Sequence, residues 1–166
     1  YNDLKKTDKN SSVKVSSSLY LELKDFKIFP IAGVSNSNTV YQNENGYYMI
    51  YRSDRYGFNN PDEEWNSDEI EYLLLGASFT HGAAVNRPDD IASQLRILSS
   101  KKALSIGYSA NGPLINYAAL REYAPKNVKK IIWLFNDIDI PRIGHELENK
   151  ILIKYLKNPN FTQNLK

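Results

Sequence analysis

The 166-residue chain contains no cysteine and only two histidines. The absence of cysteine excludes disulfides, thiolate metal ligands and a cysteine nucleophile. Two histidines far apart in the sequence do not make a ligand cluster, so we expect neither a metal nor another cofactor. The sequence also lacks an apolar run near the roughly 20 residues that a membrane-spanning helix needs.

An excess of charge of one sign is missing as well. The 21 basic and 19 acidic side chains leave a formal net charge of +2, which gives no electrostatic reason to expect nucleic acid or an anionic membrane surface. Neither phosphate-binding glycine motif, Gly-x-x-x-x-Gly-Lys-Ser/Thr or Gly-x-Gly-x-x-Gly, follows a predicted strand. The sequence starts at Tyr1 rather than Met, which leaves the compartment open, including a cell-envelope location with an upstream signal or anchor.

Two regions differ in pattern. Residues 1–67 are predicted to form a polar N-terminal arm and a β-hairpin that packs on the core, because Asn45-Gly46 is a tight-turn signal between two aromatic and β-branched stretches. Residues 68–166 are more regular and are predicted to form an α/β domain. We expect this domain to be truncated at its C-terminal end.

Strand and helix patterns alternate in the second region. Short apolar runs at residues 70–75, 103–106 and 128–135 predict buried strands. Helical spacing follows each run, and the third helix is predicted at residues 144–157. This order predicts a parallel sheet flanked by helices. The side chains predicted to face inward on the third helix are Leu147, Ile151, Leu152, Tyr155 and Leu156.

Small or polar residues follow each strand, at the edge where open parallel sheets bind ligands. They are Ser78, Gly107 and Asn136. A serine hydroxyl, a backbone N–H and a side-chain amide at neighbouring strand ends could serve acyl transfer as nucleophile and oxyanion donors. Each residue also has a structural interpretation: Ser78 as a helix cap, Gly107 as a turn glycine, and Asn136 as a loop-bridging amide.

Three sequence blocks around these residues resemble the SGNH or GDSL hydrolases. Residues 76–82, Gly-Ala-Ser-Phe-Thr-His-Gly, are similar to the family's nucleophile block, residues 105–107 to its second block and residues 134–137 to its third. The resemblance implies a flavodoxin-like three-layer α/β/α fold and a serine esterase or O-acyltransferase. It also implies a small-molecule or carbohydrate ester as the substrate, and Ser78, Gly107 and Asn136 as the site.

The chain departs from the family pattern in three places. Ala77 stands where the family usually has Asp, Leu134 replaces a glycine, and the final Asp-x-x-His block is absent. A serine needs a base, and neither histidine is a good candidate. We expect His81 to be a cleft or surface residue and His145 to be exposed. Two explanations stay open: a missing C-terminal segment of the same protein supplies the base, or the chain is a catalytically inactive module that binds carbohydrate or acyl groups.

Overall fold

The computed structural model describes residues 12–13, 28–41 and 46–166. Its centre is a three-stranded parallel sheet in the order β5-β4-β6. Strand β4 spans Ile70–Leu75, β5 spans Ala103–Ser105 and β6 spans Val128–Trp133. In register, Leu73 of β4 lies beside Leu104 of β5 and Ile131 of β6. The predicted α/β class and the parallel sheet are confirmed.

A second, smaller sheet precedes it. Strand β1 (Ser12–Val13) pairs in parallel with β2 (Asn38–Val40), which pairs antiparallel with β3 (Ile50–Arg52). The β2–β3 pair confirms the predicted hairpin, although Asn45 of the turn signal and most of the predicted arm lie outside the described residues. A 3₁₀ helix at Asp62–Asn66 leads into β4. The division of the chain at residue 67 stays a prediction.

Two helices lie between β4 and β5, one lies between β5 and β6, and two follow β6. They are α1 (Ser78–His81), α2 (Ile91–Ser99), α3 (Pro113–Tyr123), α4 (Asp139–Leu147) and α5 (Lys150–Lys157). Pro113 begins α3, a position where its missing N–H costs no hydrogen bond. Asp90 caps α2 by accepting a hydrogen bond from Ser93 N.

The prediction of one helix at residues 144–157 was wrong. The chain forms two helices there, because the Asn149 side chain accepts hydrogen bonds from Ile151 N and Leu152 N and so begins a new helix. The prediction was also wrong for two side chains expected to face inward: Leu147 is 45% exposed and Leu156 is 54% exposed. Leu152 and Tyr155 are buried as predicted.

The main core lies between the parallel sheet and helices α3 and α5. Leu73 and Leu75 of β4 pack there with Ala118 of α3 and Leu152 of α5, all fully buried. Burial of such side chains contributes on the order of 1.5–3 kcal/mol each. Within the described residues, no helix is both long enough and apolar enough to cross a membrane.

A buried carboxylate from α4 caps the N-terminal end of helix α3. Gly112, the residue just before α3, has no side chain that could cap the helix, and Glu146 of α4 supplies the acceptor instead. Glu146 accepts hydrogen bonds from Gly112 N and Leu114 N, both at 2.8 Å. Burial raises the pKa of Glu146, and these hydrogen bonds oppose that shift. These hydrogen bonds fix helix α4, which follows Asn136, to the N-terminal end of α3.

Candidate active site

Ser78 lies just beyond the carboxyl end of the central strand β4, as the first residue of the four-residue helix α1. The chain turns there at Gly76, whose φ of +151° is rarely adopted by residues with side chains. A Cβ on Gly76 would lie 2.1 Å from Thr80 Oγ1 and 2.9 Å from Leu134 O. Glycine is therefore required for α1 to pack directly on the strand ends.

The Ser78 hydroxyl makes no hydrogen bond within the part of the chain that the structure describes. Its side chain is half-buried and lines a cavity of about 400 Å³, the Ser78 cavity. Apolar and small side chains form most of its wall, and Asp89 and Asp90 also line it. The size is within the range of small-molecule sites. Ser78 is thus accessible from a cavity and has a hydroxyl that is unpaired among the described residues.

Gly107 packs against α1 from the neighbouring strand end. A Cβ at this position would lie 2.5 Å from both Cβ and Cγ2 of Thr80, so the close approach of α1 requires glycine. Ile106 N donates to Leu74 O of β4 and Tyr108 N to Gly76 O just after it, whereas Ser105 N donates to Asn60 Oδ1 on the other side. Alternation along an extended chain turns the Gly107 N–H toward the Asn60 side, away from β4. The close packing of α1 therefore explains why residue 107 is glycine. The oxyanion role predicted for its N–H stays a prediction.

Asn136 follows β6 in a tight turn that fixes its side chain. Its Oδ1 accepts a hydrogen bond from Ile138 N at 2.9 Å, and its backbone N–H donates to Asp139 Oδ2 at 3.1 Å. Asp139 is buried and accepts from Arg142 at 2.9 Å, which holds the turn in place. The Nδ2 amide has no acceptor among the described residues. Asn136 is therefore oriented with a free donor.

Ser78 and Asn136 do not line the same cavity. Asn136 lines a second cavity of about 350 Å³, the Asn136 cavity, together with Ala77 and Thr80. The side chains of Phe79 and Ile91 line both cavities, and Phe79 is 73% exposed. The sheet topology thus brings the predicted residues to neighbouring strand ends, with Phe79 between the two cavities.

His81 is not the cleft or surface residue that was predicted. It is 1% exposed, with Nδ1 2.8 Å from Ser109 Oγ and Nε2 2.8 Å from Tyr51 Oη. Its ring stacks on Tyr108 at a centroid distance of 4.7 Å. The aromatic side chains around it and its two ring hydrogen bonds account for the difference from the prediction, since both ring nitrogens of His81 are taken up by Ser109 and Tyr51. His145 is exposed as predicted.

The His81 network was not found from the sequence. Tyr51 lies in β3 and Ser109 follows β5, 30 and 28 residues from His81. Burial raises the pKa of Tyr51, so its phenol stays protonated at neutral pH. The network joins α1, the small sheet and the end of β5. No short motif marks it, because its three members come from separate elements.

A second buried group fixes the loop before β4. Asp54 is fully buried and accepts hydrogen bonds from Phe58 N, Asn60 Nδ2 and Trp65 Nε1. Asn60 in turn exchanges two hydrogen bonds with Ser105 of β5, each at 2.8 Å. The loop therefore covers the outer edge of β5. Burial raises the pKa of Asp54, and the hydrogen bonds that it accepts partly offset the shift.

In the part of the chain that the structure describes, no group of three or more histidine, aspartate or glutamate side chains is placed to hold a metal ion. Comparisons of the chain with protein-family models, curated proteins and solved structures gave no match.

Proposed function

We propose that this chain carries a serine-dependent site for ester chemistry on a flavodoxin-like three-layer fold, with Ser78 as nucleophile. The observation that supports it best is the unpaired Ser78 hydroxyl, placed beside a cavity at the carboxyl end of the central strand. Ligand sites of open parallel sheets lie at that edge. The resemblance to SGNH hydrolases in residues 76–82 points to the same serine.

The proposed reaction is acyl transfer through a covalent intermediate. Ser78 Oγ attacks the acyl carbonyl and loses its proton, and the alcohol leaves with a proton as the carbonyl re-forms. In hydrolysis water then attacks the acyl-serine, the carboxylic acid leaves, and Ser78 Oγ regains a proton. In transfer a second hydroxyl group attacks instead, and a new ester leaves. The Ser78 N–H is the candidate donor for the oxyanion. Asn136 Nδ2 lines the neighbouring cavity, and it can join as a second donor only when a movement of Phe79 brings both donors to the same oxygen atom.

The proton of Ser78 needs an acceptor. His81 is committed to Ser109 and Tyr51, and Asp90 accepts two hydrogen bonds from Ser93. Among the described residues, Asp89 is the carboxylate that lines the Ser78 cavity without a side-chain hydrogen bond. A histidine supplied by another segment of the protein remains the alternative from the sequence.

The test is turnover of p-nitrophenyl acetate by the natural full-length protein and by its Ser78→Ala variant. We expect the variant to lose activity by about a thousandfold or more while its unfolding transition stays unchanged. Ser67→Ala is the matched control, since Ser67 is also half-buried and outside both cavities. Equal turnover by wild type and Ser78→Ala would show that Ser78 is not the nucleophile.

A non-catalytic module that binds acyl or carbohydrate groups is the second candidate. It is favoured by the separation of Ser78 and Asn136 into two cavities and by the lack of a base bonded to Ser78 within the described residues. Such a module would show no turnover in the wild type. It would bind a short ester or acetylated sugar equally well with serine or alanine at position 78.

A further inference from the structure

Small and apolar groups make up most of the wall of the Ser78 cavity. Gly82 and Ala83 line it although they are buried, so the cavity reaches inward to them. Phe79 and Ile91 are exposed and form its rim. Concave sites with such walls bind apolar groups. Besides Ser78 and the two aspartates, the lining residues are Phe79, Gly82, Ala83, Ala84, Val85 and Ile91.

Three backbone donors along this wall are already engaged. The N–H groups of Gly82, Ala83 and Val85 donate to carbonyl oxygens of α1 and of the turn after it. Both carboxylate oxygens of Asp90 accept hydrogen bonds within helix α2, and Asp89 is exposed. A sugar ring would therefore find few partners along the wall, and its hydroxyl groups would lose their hydrogen bonds to water. An alkyl chain needs no such partners.

The volume of the cavity exceeds what an acetyl group needs. A water molecule occupies about 30 Å³ in the liquid, so a cavity of about 400 Å³ has room for roughly a dozen groups of that size. The two carbon groups of acetyl would take about two or three of these places. Each further methylene that leaves water for an apolar wall strengthens binding by up to about fourfold. A linear acyl chain of about four to ten carbons uses this wall and fits within the volume.

The position of Ser78 decides which part of an ester lies in this cavity. In acyl transfer through a serine, the acyl group stays on Oγ while the alcohol leaves. Ser78 lines this cavity, whereas Asn136 lines the other. An acyl group on Ser78 Oγ therefore starts in the Ser78 cavity, and its chain runs along the apolar wall.

We propose that the Ser78 cavity is an acyl-chain pocket, and that the substrates are esters of linear, uncharged acyl groups of about four to ten carbons. This assignment rests on the proposed acyl transfer at Ser78. The chain is uncharged because an apolar wall does not solvate a charged group. Val85 is assigned as a residue that limits the chain length, since it is half-buried and lines this cavity but not the Asn136 cavity.

Turnover of p-nitrophenyl esters by the natural protein tests the chain-length preference. We expect kcat/KM to rise by about two- to fourfold for each methylene from acetate to hexanoate, and lengthening the alcohol from ethyl to hexyl acetate to change it less. Val85→Phe should lower the ratio of hexanoate to acetate kcat/KM by about tenfold, and Val85→Ala should move the optimum to longer chains. Val34→Phe is the matched control, since Val34 is 59% exposed and lines neither cavity, and it should leave the ratio unchanged.

Binding to the Ser78→Ala variant separates this inference from the proposed function. Calorimetric titration with octanamide, an uncharged acyl group that cannot acylate alanine, should show binding that Val85→Phe in the same background weakens by about tenfold. Octanamide binding of this kind without turnover of any ester supports the pocket and contradicts the proposed function. Ester turnover that depends on Ser78 but is equal for acetate and hexanoate, or a chain-length preference that both Val85 variants leave unchanged, overturns the acyl-chain pocket and leaves Ser78 as nucleophile.

Discussion

Glu122 of α3 holds the C-terminal segment on the core, and its replacement by glutamine is a sharp test of the structure. Its carboxylate accepts hydrogen bonds from Tyr155 Oη at 2.5 Å, Gln163 N at 2.6 Å and Leu165 N at 3.1 Å. Thr162 Oγ1 donates to both carboxylate oxygens. Glu122 is 7% exposed, so these donors replace water almost completely.

The magnitude follows from the number and kind of these contacts. Glu122→Gln keeps the shape, removes the charge and turns one acceptor oxygen into an NH₂ group that faces donors. Hydrogen bonds to charged groups contribute about 1.5–3 kcal/mol each, and an unsatisfied buried donor costs about 1–3 kcal/mol. Partial rearrangement of the segment at residues 161–165 limits the loss. We expect Glu122→Gln to lower the free energy of unfolding by about 2–4 kcal/mol at pH 7.

The loss should depend on pH in a defined direction. Burial by itself raises the pKa of Glu122, but the hydrogen bonds from Tyr155, Gln163 and Leu165 outweigh burial and lower it below the ordinary value of 4.5. A carboxylate with a lowered pKa stabilises the folded state above pH 4.5, and this stability is lost as the pH falls through the folded pKa. The difference between wild type and Glu122→Gln should therefore shrink at low pH.

Urea unfolding followed by tryptophan fluorescence at pH 7 and near pH 3 measures both effects. Glu148→Gln is the control, since Glu148 is exposed and should change stability by less than about 0.5 kcal/mol. A Glu122→Gln loss below that level, or one that stays equal at both pH values, refutes the assignment of Glu122 as the charged acceptor of this segment.

Two further substitutions test the supports of the candidate site. Asp54→Asn puts an amide N–H against donors such as Trp65 Nε1, so we expect it to lower the free energy of unfolding by about 2 kcal/mol or more. An unchanged midpoint in urea unfolding would contradict the hydrogen bonds of Asp54. Gly107→Ala forces a methyl group onto Thr80 and should cost about 1–3 kcal/mol. Gly144→Ala in helix α4 is the control, because an added Cβ meets nothing within 4 Å there, and it should be neutral or stabilise the fold. Equal effects of the two glycine substitutions on the free energy of unfolding would disprove the tight packing at Gly107.

The parallel strands and their order with the helices could be predicted because they depend on local pattern. The apolar run at residues 70–75 and the proline at the start of α3 carry their own structural preferences. The break between α4 and α5 could not be predicted in the same way, because the apolar spacing continues across it. The Asn149 side chain decides the break by capping α5.

The candidate site was predictable only to the level of strand ends. The positions of Ser78 and Asn136 follow from topology, but tertiary packing sets them in separate cavities, both of which Phe79 and Ile91 line. The burial of His81 depends on Tyr51 and Ser109, which approach it through tertiary packing. Long-range contacts of this kind leave no periodic signal in a single sequence.

Covalent trapping at Ser78 tests the central claim most directly. The natural protein is treated with a fluorophosphonate probe, which reacts with activated serine nucleophiles, and the adduct is located by peptide mass spectrometry. The proposed function predicts one adduct, on Ser78, that disappears in Ser78→Ala and persists in Ser67→Ala. An unlabelled wild-type protein, or a label on another residue that Ser78→Ala leaves unchanged, would contradict it.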